Sequence, residues 1–241
     1  MREYNDVGEL IFEGEYLNGK KNGKGKEYYN DRGLNHYEYE LIYHARGRLK
    51  FNGEYKFGLR WNGEGYDQKN NIVYQMKNGK GNVKEYNWDD TLIFEGEYLN
   101  GKKNGQAKEY EYDGKLIFEG NYVDGLKNGQ GKEYDYNGEL EFEGEFLYGS
   151  KLRGSEYIKG RLEYEGEYLL SKKWNGVGYD ENKNVIYTLN NGKGKCKEYS
   201  YNGKLIFEGE YLNGKRNGKG KEYGYNGNLI FEGKYLNGKK V

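Results

Sequence analysis

LIFEGEYLNGKKNGKGKEY, running from Leu10 to Tyr28, decides the fold, because it returns with small changes down to the last residues of the chain. A period this short makes each copy a supersecondary unit that cannot bury its own apolar face and must stack on its neighbours. Aligned on the aromatic residue that opens each copy, the units start at Phe12, Phe51, Tyr74, Phe94, Phe118, Phe142, Tyr164, Tyr187, Phe207 and Phe231. Phe94, Phe118 and Phe142 are 24 residues apart, whereas Tyr74 to Phe94 and Tyr187 to Phe207 are 20.

The shortened units come from a larger duplication. Phe51 to Tyr164, Tyr74 to Tyr187 and Phe94 to Phe207 all differ by 113, so residues 51–120 lie on 164–233 without a gap and carry Trp61 onto Trp174 and Tyr86 onto Tyr199. Phe12 and Phe51 are 39 apart, and HYEYELIYHARGRL from His36 to Leu49 lacks the Gly-rich turn, which marks a degenerate unit near 30–50. The expected organisation is one domain, 1–241, holding about ten units.

Within a unit, LIFEGEY, LNGKKNG, KGKEY and a closing YNGK alternate two extended runs with two turn signals, which reads as a repeated β-hairpin. Period two puts Leu10, Phe12, Gly14 and Tyr16 on one face and Ile11, Glu13 and Glu15 on the other. Asn-Gly pairs such as Asn137-Gly138 and Asn202-Gly203 suit tight hairpin turns and favour antiparallel neighbours. Glycine weakens a strand, so its recurrence beside Phe12, Phe94 and Phe207 calls for a ring from the next strand lying over it. The expected fold is all-β: an elongated, single-layer antiparallel array of hairpins, a ribbon or open trough with a stripe of tyrosines.

The 241 residues carry 39 basic and 39 acidic side chains, 40 glycines, no proline and a mean hydropathy of −1.20. Such polarity by itself suggests disorder, but 17% aromatic content in strict register argues for order. No stretch reaches the 18 or so apolar residues of a spanning helix, and MREYNDVGEL has no apolar signal core, so a cytoplasmic protein is expected. The single Cys196 fits a reducing compartment.

Catalytic chemistry finds little to work with. Pairs such as Glu13 with Glu15, Glu95 with Glu97 and Glu208 with Glu210 have a spacing that acid–base work could use, yet they recur in unit after unit and read as a solvated face paired with lysines across strands. GKKNGKG at Gly19–Gly25 lacks the spacing and the Lys-Ser or Lys-Thr of a phosphate-binding loop. Hydroxyl nucleophiles are limited to Ser150, Ser155, Ser171, Ser200, Thr91 and Thr188; His36 and His44 have no cysteine near them, and Cys196 no histidine. No catalytic, cofactor or metal site is expected, and the chain reads as a non-enzyme.

Lysines crowd the turns: Lys20, Lys21, Lys102, Lys103, Lys127, Lys215 and Arg216 would form a basic row if all turns share one edge. Such a row attracts anionic lipid head groups, or simply protects an exposed sheet edge. Zero net charge disfavours nucleic acid.

The repeated aromatic, one residue, Gly-Glu-aromatic, then Gly-Lys and Gly-x-Gly resembles the MORN repeat family: Phe12, Gly14, Glu15 and Tyr16 carry the first half and Gly19, Lys20, Gly23 and Gly25 the second. The form KEY followed by YNGKLIFEG is closest to the MORN-2 subtype, which occurs in bacterial antitoxin-like proteins. Departures are Tyr for the usual Trp and Ala107 for a Gly. The resemblance implies a non-catalytic scaffold, often dimeric, with roles in protein assembly and in binding anionic phospholipids. The expected function is protein–protein interaction or self-association through the tyrosine-lined face, with Tyr16, Tyr98, Tyr122, Tyr168 and Tyr211 as contact residues. The alternatives are peripheral membrane binding through the lysine-rich turns and antitoxin-like inhibition of a protein partner.

Overall fold

The computed structural model describes residues 1–29 and 47–241. The stretch 30–46, with His36, His44 and most of the degenerate unit, lies outside the described residues. The protein is all-β, with 70% strand and no helix among the described residues. It divides into two compact units, Met1–Leu126 and Lys127–Val241.

The first unit contains β1 (Arg2–Tyr4), β2 (Leu10–Leu17), β3 (Lys20–Tyr28), β4 (Leu49–Lys56), β5 (Leu59–Tyr66), β6 (Ile72–Met76), β7 (Gly81–Tyr86), β8 (Leu92–Leu99), β9 (Lys102–Tyr110) and β10 (Leu116–Val123). The second opens at β11 (Leu126–Tyr134) and continues with β12 (Leu140–Leu147), β13 (Ser150–Ile158), β14 (Arg161–Leu169), β15 (Lys172–Tyr179), β16 (Val185–Asn190), β17 (Lys193–Tyr199), β18 (Leu205–Leu212), β19 (Lys215–Tyr223), β20 (Leu229–Leu236) and β21 (Lys239–Lys240). Within each unit the strands run antiparallel in chain order in open sheets. Between β6 and β7 the strand pairing is reduced to a bridge from Lys77 to Lys80, while its counterpart pairs β16 with β17 through Leu189–Gly194 and Asn190–Lys193.

Two kinds of turn connect the strands. At Asn18-Gly19, φ is 51° and 75°, and Asn100-Gly101 and Asn213-Gly214 repeat this pair of positive angles, the mirror-image turn that suits a two-residue hairpin. Asn137-Gly138 and Asn202-Gly203 depart from that expectation, since only the glycines have positive φ. There the loop is longer: Asp135 N donates to Glu139 O at 2.9 Å, and Asp135 Oδ1 accepts from Asn137 N and Glu139 N. The carboxylate takes over the amides that a two-residue turn would leave to the ladder.

After each long turn the register slips by one residue. Glu27 pairs with Phe51 and Tyr28 with Leu49, so Lys50 is bulged; the same slip follows the tight Lys159-Gly160 turn, where Glu156 pairs with Tyr164 and Tyr157 with Leu162, which bulges Glu163. Ile11 is the bulged residue of β2, between Phe12 and Leu10, so it does not alternate simply with Glu13 and Glu15.

The glycines accept rings, though not as expected. In the long units one ring covers two glycines, the one two residues later on its own strand and that glycine's partner on the next: a Cβ at Gly14 or Gly25 would stand 2.9 or 2.5 Å from Phe12 Cζ. In the short units it does come from the next strand, where a Cβ at Gly65 or Gly178 would fall inside the Tyr74 or Tyr187 ring. These rings are the core. Phe12, Phe51, Phe118, Phe142, Tyr164 and Phe207 are fully buried, and edge-to-face contacts such as Phe12–Tyr55 at 5.1 Å and Phe142–Tyr168 at 5.5 Å link successive hairpins.

Candidate functional site

On the aromatic face the ring that opens a unit meets a carboxylate across the strands. Glu27 stands opposite both Phe12 and Phe51, and Glu156 opposite both Phe142 and Tyr164. A carboxylate between rings needs a counter-charge, and the residue after the first turn lysine supplies it. Lys21 lies opposite Tyr16, 4.0 Å from the Phe12 ring centre and 3.2 Å from Glu3. Lys103 over Phe94 reaches Glu109, Lys127 reaches Glu133 at 2.8 Å, and Arg216 over Phe207 reaches Glu198 at 2.7 Å. Burial pushes the Glu133 carboxyl up, but Lys127 and Lys151 outweigh it and hold the group below its usual range.

The cations expected to form one row therefore occupy two places. Lys21, Lys103, Lys127 and Arg216 lie on the aromatic face in ion pairs, while Lys20, Lys102 and Lys215 are exposed at the turns. The signal was in the spacing: a two-residue turn pairs Leu17 with Lys20 and Tyr16 with Lys21, which puts the second lysine on the tyrosine side.

The expected contact tyrosines also lie on this face. Tyr122 and Tyr168 are buried, and Tyr16, Tyr98 and Tyr211 half-buried. Several hydroxyls are engaged inside the sheet: Tyr16 donates to Glu3, Tyr168 to Glu156 at 3.1 Å and Tyr211 to Glu198. The outward carboxylates have partners too, from tyrosines as well as lysines: Tyr28 donates to Glu13 and Tyr110 to Glu95, each at 2.8 Å, and Lys132 lies 3.4 Å from Glu143.

One cluster in the second unit differs from the others. Bulged Glu163 is 1% exposed, hydrogen-bonded by the Lys173 ammonium and, at 2.8 Å, by the Tyr187 hydroxyl. Lys173 also lies 3.2 Å from Glu156. Burial raises the Glu163 pKa against the pull of Lys173, and burial pushes the Cys196 thiol up to about 12. Glu163, Lys173, Tyr168 and Cys196 border a cavity of about 330 Å³. A thiol shifted away from thiolate is a poor nucleophile, and among the described residues no group of His, Cys, Asp or Glu is placed to hold a metal ion.

The edges offer the exposed chemistry that face alternation missed. Tyr136, Tyr201 and Tyr225, on the long turns of the second unit, are 58, 62 and 72% exposed, and Tyr136 packs edge-on against Tyr201 at 5.8 Å. At the tight turns Gly192 N donates to Trp174 O, and Gly214 N to Gly192 O, which stacks successive hairpins and lines up exposed Lys172, Lys193 and Lys215.

Comparison with known proteins adds the following. Residues 12–33, 94–115, 118–139 and 207–229 match the MORN repeat family. No curated protein matches the chain. Among solved structures it is similar to a chain of the "Crystal Structure of TcdB2-TccC3-Cdc42", at 11% identity and a TM-score of 0.14, over 95% of this chain and 16% of that one. The chain thus spans a small part of that protein, and so weak a likeness carries no argument.

Proposed function

Because the chain is a MORN-repeat protein, we propose that it is a non-catalytic scaffold that binds another protein, or a second copy of itself, through the exposed tyrosines of the second unit. The observation that carries this reading is the contrast between two sets of tyrosines. On the aromatic face Tyr16, Tyr168 and Tyr211 hydrogen-bond to glutamates of their own sheet, whereas Tyr136, Tyr201 and Tyr225 keep most of their surface in water. Tyrosine at such a position offers apolar area with a hydroxyl that tolerates water, at little cost in side-chain order. An antitoxin-like inhibitor would be one instance, with an enzyme as the protein held. The test is quantitative pull-down from the native cell extract with the wild-type chain and with Tyr136→Ser, Tyr201→Ser and Tyr225→Ser combined. Loss of the wild-type partners is expected; an unchanged set rejects this edge. Light scattering coupled to size exclusion reads whether the partner is a second copy.

A second reading rests on Lys172, Lys193 and Lys215, exposed on successive stacked turns. Such a row favours peripheral contact with anionic phospholipid. Flotation should then require acidic vesicles and weaken with salt; flotation with neutral vesicles, or with neither kind, sinks this reading.

A further inference from the structure

On the face opposite the phenylalanines, the second unit has a groove of about 690 Å³ running over Gly209, Gly220 and Gly233. These glycines are neighbours across β18, β19 and β20, so the floor is bare backbone. One wall is balanced in charge: Lys197 stands opposite Glu208, Glu208 opposite Lys221, and Lys221 opposite Glu232. The other wall is not. Lys195 stands opposite Glu210, whose carboxylate accepts the backbone N–H of Lys219 at 2.9 Å, and Lys219 stands directly opposite Lys234. Among the described residues, Lys195, Lys219 and Lys234 form no ion pair.

The duplication supplies an internal control. The residues 113 positions earlier are Asn82, Glu97, Gln106 and Asn121, with a formal charge of −1 where the second unit has +2. Gln106 stands opposite Asn121 and donates to it at 2.8 Å. The balanced wall keeps its pattern in both places: Lys84, Glu95, Lys108 and Glu119 in the first, Lys197, Glu208, Lys221 and Glu232 in the second. Only one wall has changed, and it exchanges a neutral hydrogen bond for two facing ammonium groups, an arrangement that costs stability unless an anion joins it.

We infer that this groove binds an extended acidic peptide segment of a partner, whose carboxylates bridge Lys195, Lys219 and Lys234. Across β17 to β20 these lysines span about 14 Å at a strand spacing of about 4.8 Å, and three same-face side chains of an extended peptide span about 13 Å. A uniform polyanion fits less well, because it must also pass Glu208, Glu210 and Glu232, which line the same groove. A phosphate cradle usually adds arginine forks or free backbone N–H groups. The lining includes no arginine, and the floor glycines lie within the strand ladder.

The experiment measures fluorescence anisotropy of a short labelled peptide of alternating glutamate and serine with the full chain. Binding should weaken with salt and become roughly tenfold weaker or more in the Lys219→Gln, Lys234→Asn double variant. That variant carries the pair already used at Gln106 and Asn121, so it should fold, with thermal unfolding at or above wild type. The reverse pair, Gln106→Lys with Asn121→Lys, should add a second binding event. No binding by the wild type, unchanged affinity in the folded double variant, or a preference for inorganic polyphosphate or acidic vesicles would overturn the inference. The groove stands apart from the tyrosine edge: Tyr136→Ser with Tyr201→Ser should leave peptide binding unchanged, so either proposal can fail without the other.

Discussion

Residues 51–120 and 164–233 share strand order and much of their sequence, yet their polar interiors are wired differently. In the first block Arg60, opposite Tyr55, donates to Glu27 through Nε at 3.0 Å and Nη2 at 2.8 Å, to Glu85 at 3.1 Å and to the Tyr74 hydroxyl at 2.8 Å. One planar cation thus serves two carboxylates and a phenol. In the second block Lys173, opposite Tyr168, presents a single ammonium to Glu156 and Glu163. Tyr187 reverses the role of Tyr74 and donates to Glu163, while Glu198 is taken by Arg216. The bulged position that draws Glu163 inward holds Lys50 in the first block, and Cys196 stands where the first block has Val83. Arginine and lysine are not interchangeable where several acceptors converge, and a bulge lets one substitution turn a surface position into a buried charge.

The largest expected effect separates the two cations. Lys173→Met leaves Glu163, 1% exposed, with no counter-charge and should cost about 3–5 kcal/mol in denaturant unfolding, largely recovered by adding Glu163→Gln. Arg60→Met should cost distinctly less, because Glu27 and Glu85 are 23 and 21% exposed and can turn to water. Equal losses at the two sites would break the comparison. The next effect is in the turns. Leu170 and Ser171 hold φ of 51° and 59°, whereas their counterparts Phe57 and Gly58 place a glycine at the second position. Ser171→Gly should stabilise by about 1 kcal/mol; no change in the unfolding midpoint would mean that the loss of Ser171 Oγ, which accepts from Lys151 N, cancels the relief.

The smallest effect sharpens the contrast by its sign. Glu163 has a raised pKa from burial, so its contribution is present below its unfolded pKa and is lost as pH rises through the folded value. At Glu27 burial pushes the pKa up, but Arg60 with Lys50 and Lys21 together outweigh it and lower the pKa, so its contribution is present above the unfolded value and is lost on acidification. At neutral pH Glu163→Gln should therefore stabilise and Glu27→Gln destabilise, and both differences should shrink towards acid. Unfolding midpoints across pH read this directly, and two differences of the same sign would refute it.

Much of this was legible in one dimension. The spacing of Phe94, Phe118 and Phe142 and the 113-residue offset displayed the hairpin unit and its duplication, and the return of glycine near each ring announced a close packing contact. The side on which a lysine falls was also readable, since Lys21 follows from Tyr16 by the geometry of a two-residue turn. Less legible were the long turns, where the side chain of Asp135 rather than the Asn-Gly pair sets the loop. Nor did alternation find the exposed Tyr136, Tyr201 and Tyr225, because it stops at the strand ends.

The sequence by itself determined the repeat, the antiparallel hairpins and the all-β class, because those depend on residues close together in the chain: a period, a turn and an alternation. Only the tertiary structure decided which charges are buried, which are neutralised and which stand unpaired. Glu163 meets Tyr187 across 24 residues, Glu27 meets Arg60 across 33, and Lys219 faces Lys234 through strand register. A carboxylate with the same local spelling is solvated or buried according to the bulge it sits on and the cation the next hairpin brings to it, and neither is a local property of the chain.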